Sequence, residues 1–119
     1  MPALSVETIF DAAIRIQLVE ERALSLNFSE HQLSVKFPTT RRLAEFLNVP
    51  HYYVLPYFAM MEQDQLVTRA ERVGIMTTTK GTEKILLMMN ERYRMDAIAI
   101  LGMEIFENIL ERVQPKRSE

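Results

Sequence analysis

Residues 39–67, TTRRLAEFLNVPHYYVLPYFAMMEQDQLV, limit the possible folds more than any other part of the chain. Leu43, Ala44, Phe46 and Leu47 share one face of a helix, because positions three and four apart stack on a 3.6-residue period. Asn48 tolerates the left-handed backbone that closes a helix, and Pro50 bars continuation. A second apolar face then runs through Val54, Leu55, Phe58 and Met61 and stops by Gln65. Thr39 or Thr40 supplies the N-cap hydroxyl of the first helix, while Glu45 lies too far along for a capping box with Thr40. The stretch is predicted as two short helices on a tight turn, a helix-turn-helix over residues 39–65.

Such a pair needs a core from elsewhere, and 119 residues form one domain able to supply it. With 48% hydrophobic and 25% charged residues, the composition is that of an ordinary globular protein. Without cysteine there is no disulfide framework and no thiolate metal site, which fits a reducing cytoplasm, the expected location. No run of about 18 apolar residues is present, so no membrane span is expected. MPALSVET lacks a basic start and an apolar stretch, so no secretory signal is expected. A net charge of −2 argues against a general nucleic-acid coat but leaves room for a local basic patch.

A first helix is predicted over residues 5–26, opened by Ser5 with Glu7 at the positive end of its dipole. Val6, Ile9, Phe10, Ala13, Ile14 and Gln17 trace one face, and Ala12, Ile16, Val19 and Ala23 a second beside it. This sector is wider than one surface helix needs. The helix is either a central core element or one that packs on its own core and on a second subunit. Leu33, Val35 and Phe37 alternate with Ser34 and Lys36, a short strand leading into Pro38; a helical turn from Ser29 is the other option. His31 has no second ligand at metal spacing and reads as a surface residue.

After Gln65, the Leu66–Thr68 and Ile75–Thr78 segments favour strands, with a hairpin tip between Arg69 and Gly74, where Gly74 takes positive φ. This wing spans residues 66–78. Residues 79–113 are helical again, either one helix or two broken near Arg92–Asp96, with Gly102 a weak point. Ile98, Leu101, Ile105 and Ile109 give this region an apolar sector beyond what one interface requires. The closing PKRSE reads as a frayed tail. The fold class expected is mainly α with a small β-hairpin.

The segment from Thr39 to about Ile85 resembles the winged-helix superfamily of transcription regulators, of the MarR and PadR kind. RRLAEFLNV is similar to its first motif helix and turn, Val54 falls at its buried β-branched position, and MEQDQLVTR is similar to its exit into the wing. TTTKGTEKI looks like its return into the next helix, with Thr78 and Gly81 in register. Three departures stand out: Asn48 and Gln65 replace glycines, and HYYVLPYFAMMEQDQ carries no Lys or Arg.

The resemblance implies sequence-specific binding of double-stranded DNA by a homodimer, a repressor-like transcription regulator. Lys36, Thr39, Thr40, Arg41 and Arg42 would meet phosphates beside the major groove, and Arg69, Arg72 and Lys80 would do so on and after the wing. His51, Tyr52, Tyr53 and Tyr57 are the polar readers at the start of the second motif helix; Leu55, Pro56 and Ala59 can only touch thymine methyls. Because proline is tolerated only in a first turn, Pro56 predicts that this helix begins near Tyr52 or Tyr53. Ile9, Phe10 and Ile16, with Ile98, Leu101, Ile105 and Ile109, are the expected dimer interface.

The alternatives are a winged helix used for protein contact, favoured by its apolar second helix, or a partition-type or architectural DNA binder. No enzyme and no cofactor is expected, since two separated histidines, no cysteine and three glycines offer neither a catalytic set nor a phosphate loop. Met60, Met61, Met88, Met89 and Met103 either line an adaptable effector pocket or, more commonly for such spacing, form core.

Overall fold

The computed structural model describes residues 3–29, 32–70 and 72–113. His31 and the tail from Pro115 fall outside them. Helix α1, Val6–Arg15, begins at a capping box: the Thr8 amide donates to Ser5 Oγ (3.1 Å), and the Ser5 amide donates back to Thr8 Oγ1 (2.8 Å). It runs on as a π-helical turn, Ile16–Glu21, and ends at Arg22 in the left-handed region (φ 52°). The helical stretch therefore closes five residues before the predicted end at residue 26. Leu26 belongs instead to a strand, β1 (Leu26–Ser29), antiparallel to β2 (Gln32–Val35) with Leu26 opposite Val35. This hairpin is a second one, absent from the sequence expectation, which held only the strand before Pro38.

Helix α2, Thr40–Leu47, is capped by Thr39, whose Oγ1 accepts from the Arg42 amide (3.1 Å). Asn48 closes it at φ 57° and ψ 48°. Helix α3, His51–Gln63, follows directly from Pro50. It thus starts earlier than predicted, and Pro56 sits in the second turn rather than the first. The ring removes the amide that would have bonded the Tyr52 carbonyl. Tyr52 lies on the exposed side, so the freed acceptor is not closed into the core.

Strands β3 (Val67–Ala70) and β4 (Gly74–Thr77) form the expected antiparallel hairpin. The chain leaves α3 through Gln65 at φ 60° and enters β4 through Gly74 at φ 111°. β4 also pairs with the continuation of β2: Lys36 bridges Met76, and the Phe37 amide donates to the Ile75 carbonyl (2.8 Å). Residues 79–113 then divide into three helices, α4 (Thr79–Arg92), α5 (Arg94–Leu101) and α6 (Met103–Val113). Both expected weak points are breaks: Tyr93 turns out at φ −134° and Gly102 at φ 86°.

The architecture is mainly helical with two small antiparallel strand pairs. Helix α1 is its axis, in contact with α2, α3 and α4. Phe10, Phe37 and Phe58 meet edge to face at 5.2 and 5.8 Å, joining α1, the end of β2 and α3 in one apolar centre. Behind the hairpins the buried Thr77 and Thr82 hydroxyls lie 2.6 Å apart. Thr77 Oγ1 accepts the Val35 amide (2.8 Å), and Thr82 Oγ1 stands 2.7 Å from the Leu33 carbonyl, so the strand edge is satisfied without water.

Ile9, Phe10 and Ile16 are 0% exposed, and Ile109 is also buried. Their placement at a dimer interface is corrected: this part of the apolar sector of the first helix is covered by its own chain, and only its far end, Val19 and Ala23, is exposed. Met61, Met88 and Met89 are core residues, whereas Met60 and Met103 are exposed, so the five methionines do not line a common hollow.

Candidate nucleic-acid interface

Val54, Phe58 and Met61 fasten α3 to the core at i, i+4 and i+7. The opposite face is left bare. Tyr52 is 66% exposed and Tyr53 47%; Leu55, Pro56, Ala59 and Met60 continue the bare surface toward Gln63. Tyr52 and Tyr53 pack edge to face at 5.0 Å, which fixes both rings relative to one another. Tyr57 is half-buried at the side. A hollow of about 750 Å³ opens along this flank, walled by Tyr52, Tyr53, Pro56, Tyr57 and Met60 with Leu4 and Val49.

His51 is the hinge of the arrangement. Its Nε2 lies 2.7 Å from Thr40 Oγ1, tying the N-terminal ends of α2 and α3 together. Arg41, next to Thr40, is exposed and without an ion-pair partner among the described residues. Of the predicted group at this corner, Thr39 and Thr40 thus serve the local structure first, as cap and as link.

Among the described residues, the remaining predicted cations divide into those without a polar partner and those engaged. Lys36 is exposed and runs past Gly74 on the hairpin, where its Cε stands 3.9 Å from the place of a Gly74 Cβ. Arg72, at φ 68°, is exposed at the hairpin tip. Arg42 instead meets Glu20 (3.5 Å), Glu21 (3.9 Å) and Glu45 (3.7 Å). Arg69 pairs with Glu62 (3.3 Å), and the Lys80 ammonium donates to the Asp64 carbonyl (3.1 Å). Exposed pairs of this kind contribute about 1 kcal/mol or less, so a phosphate competes with them rather than being shut out.

The acidic partners Glu20 and Glu21 come from the π-helical turn, far from Arg42 in sequence. No local pattern signals that pairing, and only the fold brings it about. Among the described residues no group of three or more His, Cys, Asp or Glu side chains is arranged to hold a metal ion. Nor is any described helix long and apolar enough to cross a membrane.

No protein-family model, no curated protein and no solved structure matches this chain.

Proposed function

We propose that the chain is a winged helix-turn-helix that binds double-stranded DNA as a homodimer, in the manner of a repressor-like transcription regulator of the cytoplasm. One observation carries the reading. The outer face of α3 is exposed among the described residues; Arg41 follows the Thr40 that meets His51 at its start, and Arg69 reaches Glu62 near its end from the β3–β4 hairpin, which carries Arg72 at its tip and has Lys36 alongside Gly74. A helix offered in this way fits the major groove, and flanking cations fit phosphates on either side. The Lys36–Met76 bridge supports it further by tying the strand before α2 to the hairpin after α3, so that helix pair and hairpin approach a ligand as one body.

The test is binding to random-sequence duplex titrated against salt. Wild type is compared with a Lys36→Ala, Arg41→Ala, Arg72→Ala variant, which breaks none of the ion pairs among the described residues. Wild type should show a steep slope, and the variant should lose roughly 0.9 units of slope per abolished phosphate contact, together with affinity. Absence of binding at low salt by wild type would overturn the reading.

The aromatic hollow beside α3 favours a second reading, a protein-contact module, since Tyr and Met are enriched where partners anchor. That reading takes over if no duplex binds.

A further inference from the structure

The bare face of α3 also bears on which duplex it would take. Tyr52, Leu55, Pro56 and Ala59 follow one another at i, i+3, i+4 and i+7, all exposed. Paired hydrogen bonds from Arg or Lys read guanine, and those from Asn or Gln read adenine. None of these four residue types occurs in α3 before Gln63, its last residue. What Leu, Pro and Ala can recognise in a major groove is a methyl group at pyrimidine C5, carried by thymine and by 5-methylcytosine but not by uracil or cytosine.

Resting on the DNA-binding reading, we propose that α3 selects duplex by the C5-methyl groups of pyrimidines, through Leu55, Pro56 and Ala59. Charge complementarity commits the face to a nucleic acid. Arg41 follows Thr40, which meets His51 at the start of α3; Lys36 and Arg72 belong to the hairpin side, whose Arg69 reaches α3 and engages the Glu62 carboxylate near its far end. The cations hold the backbone without regard to sequence, and the apolar strip discriminates. Leu55 and Pro56 sit in the second turn, near enough to the N-terminal end to reach base edges when that end enters the groove.

Four short duplexes of equal length test this with the full chain: alternating adenine–thymine, the same with uracil for thymine, alternating guanine–cytosine, and the same with 5-methylcytosine. Removing the thymine methyls should weaken binding about fourfold for each methyl buried against the face. Methylating cytosine should tighten binding by a similar factor. The salt slope should be the same for all four, because the phosphates are unchanged. A Leu55→Ser variant should narrow the thymine–uracil gap and keep the slope; Leu55 is exposed, so the substitution leaves the core intact. Equal, salt-sensitive binding of thymine and uracil duplexes overturns the methyl readout and leaves DNA binding standing. Failure of all four to bind at low salt overturns DNA binding and the methyl readout together.

Discussion

Gly81 sits in the first turn of α4 directly under the segment that leaves α3. A Cβ placed there would lie 1.9 Å from the Leu66 carbonyl oxygen, and the atom in the way is backbone. That carbonyl is not free to retreat, because it accepts the Thr78 amide at 3.0 Å. Gly81→Ala must therefore push α4 from the hairpin. An overpacking cost of about 3 kcal/mol is expected, read as a lowered denaturant midpoint in equilibrium unfolding; an unchanged midpoint would show that the two segments separate without cost. Gly102 is the opposite case. Its φ of 86° asks for glycine, yet nothing lies within 4 Å of the missing Cβ. Gly81 stood out in the sequence by its spacing from Thr78, but its reason did not, since the obstructing carbonyl comes from the far side of a hairpin. Asn48 was legible in both respects, because its left-handed backbone is a matter of local chemistry.

Helices α1 and α4 are joined by a polar clamp along their outer edge. Glu7 meets Lys84 (3.3 Å) and Arg92 (2.9 Å), and Asp11 accepts from Arg92 (3.3 Å) and from the Tyr93 hydroxyl (2.9 Å). Lys84 first, then Arg92, holds the Glu7 carboxyl below its ordinary value of 4.5. Burial, reinforced by the bond to Asp11, pushes the Tyr93 hydroxyl up to about 12. The two shifts act at opposite ends of the pH scale. A depressed carboxyl stabilises the fold above its unfolded value and ceases to do so as pH falls through its folded one. A raised phenol stabilises below its unfolded value of 10.0 and ceases to do so as pH rises through about 12. The unfolding midpoints of wild type and Glu7→Gln should accordingly converge below pH 4.5, and those of wild type and Tyr93→Phe should converge between pH 10 and 12. Gaps that stay constant across these windows would refute the clamp. The same contact accounts for an element that periodicity left open. Tyr93 leaves the helical path where its hydroxyl reaches Asp11, so the end of α4 depends on a residue near the other end of the chain. Likewise β1 has no alternation of its own and exists as the partner of β2. Elements set by adjacent residues (α2, its turn, α3 and the β3–β4 hairpin) were legible, and those set by distant partners were not.

Across the whole molecule, the apolar surplus of the two terminal regions has two different fates. Around α1 it is consumed by the core, as the complete burial of Ile9, Phe10 and Ile16 requires. Apolar spacing alone does not distinguish cover by the same chain from cover by another copy. In α5 and α6 part of the surplus remains outside: Met95 is 82% exposed, Met103 59% and Ile105 53%, and Ile98 and Leu101 are half-buried. Ala97 and Phe106 anchor the two helices from within, so the outward residues are available to a partner without disturbing the fold. The homodimer proposed here is therefore expected to close through exposed residues of α5 and α6 by a twofold axis. Wild type should sediment as a dimer at micromolar concentration, and a Met95→Glu, Ile105→Glu variant as a monomer. Its unfolding midpoint should barely move, since exposed substitutions usually change stability by about 0.5 kcal/mol or less. Ile9→Glu, in contrast, buries an unpaired carboxylate and should unfold the chain outright. Loss of the dimer should also weaken binding to a two-half-site duplex far more than to a single half-site, because the second half-site is then no longer reached intramolecularly. A wild-type monomer would remove the dimer from the proposal and leave each copy to bind alone through α3.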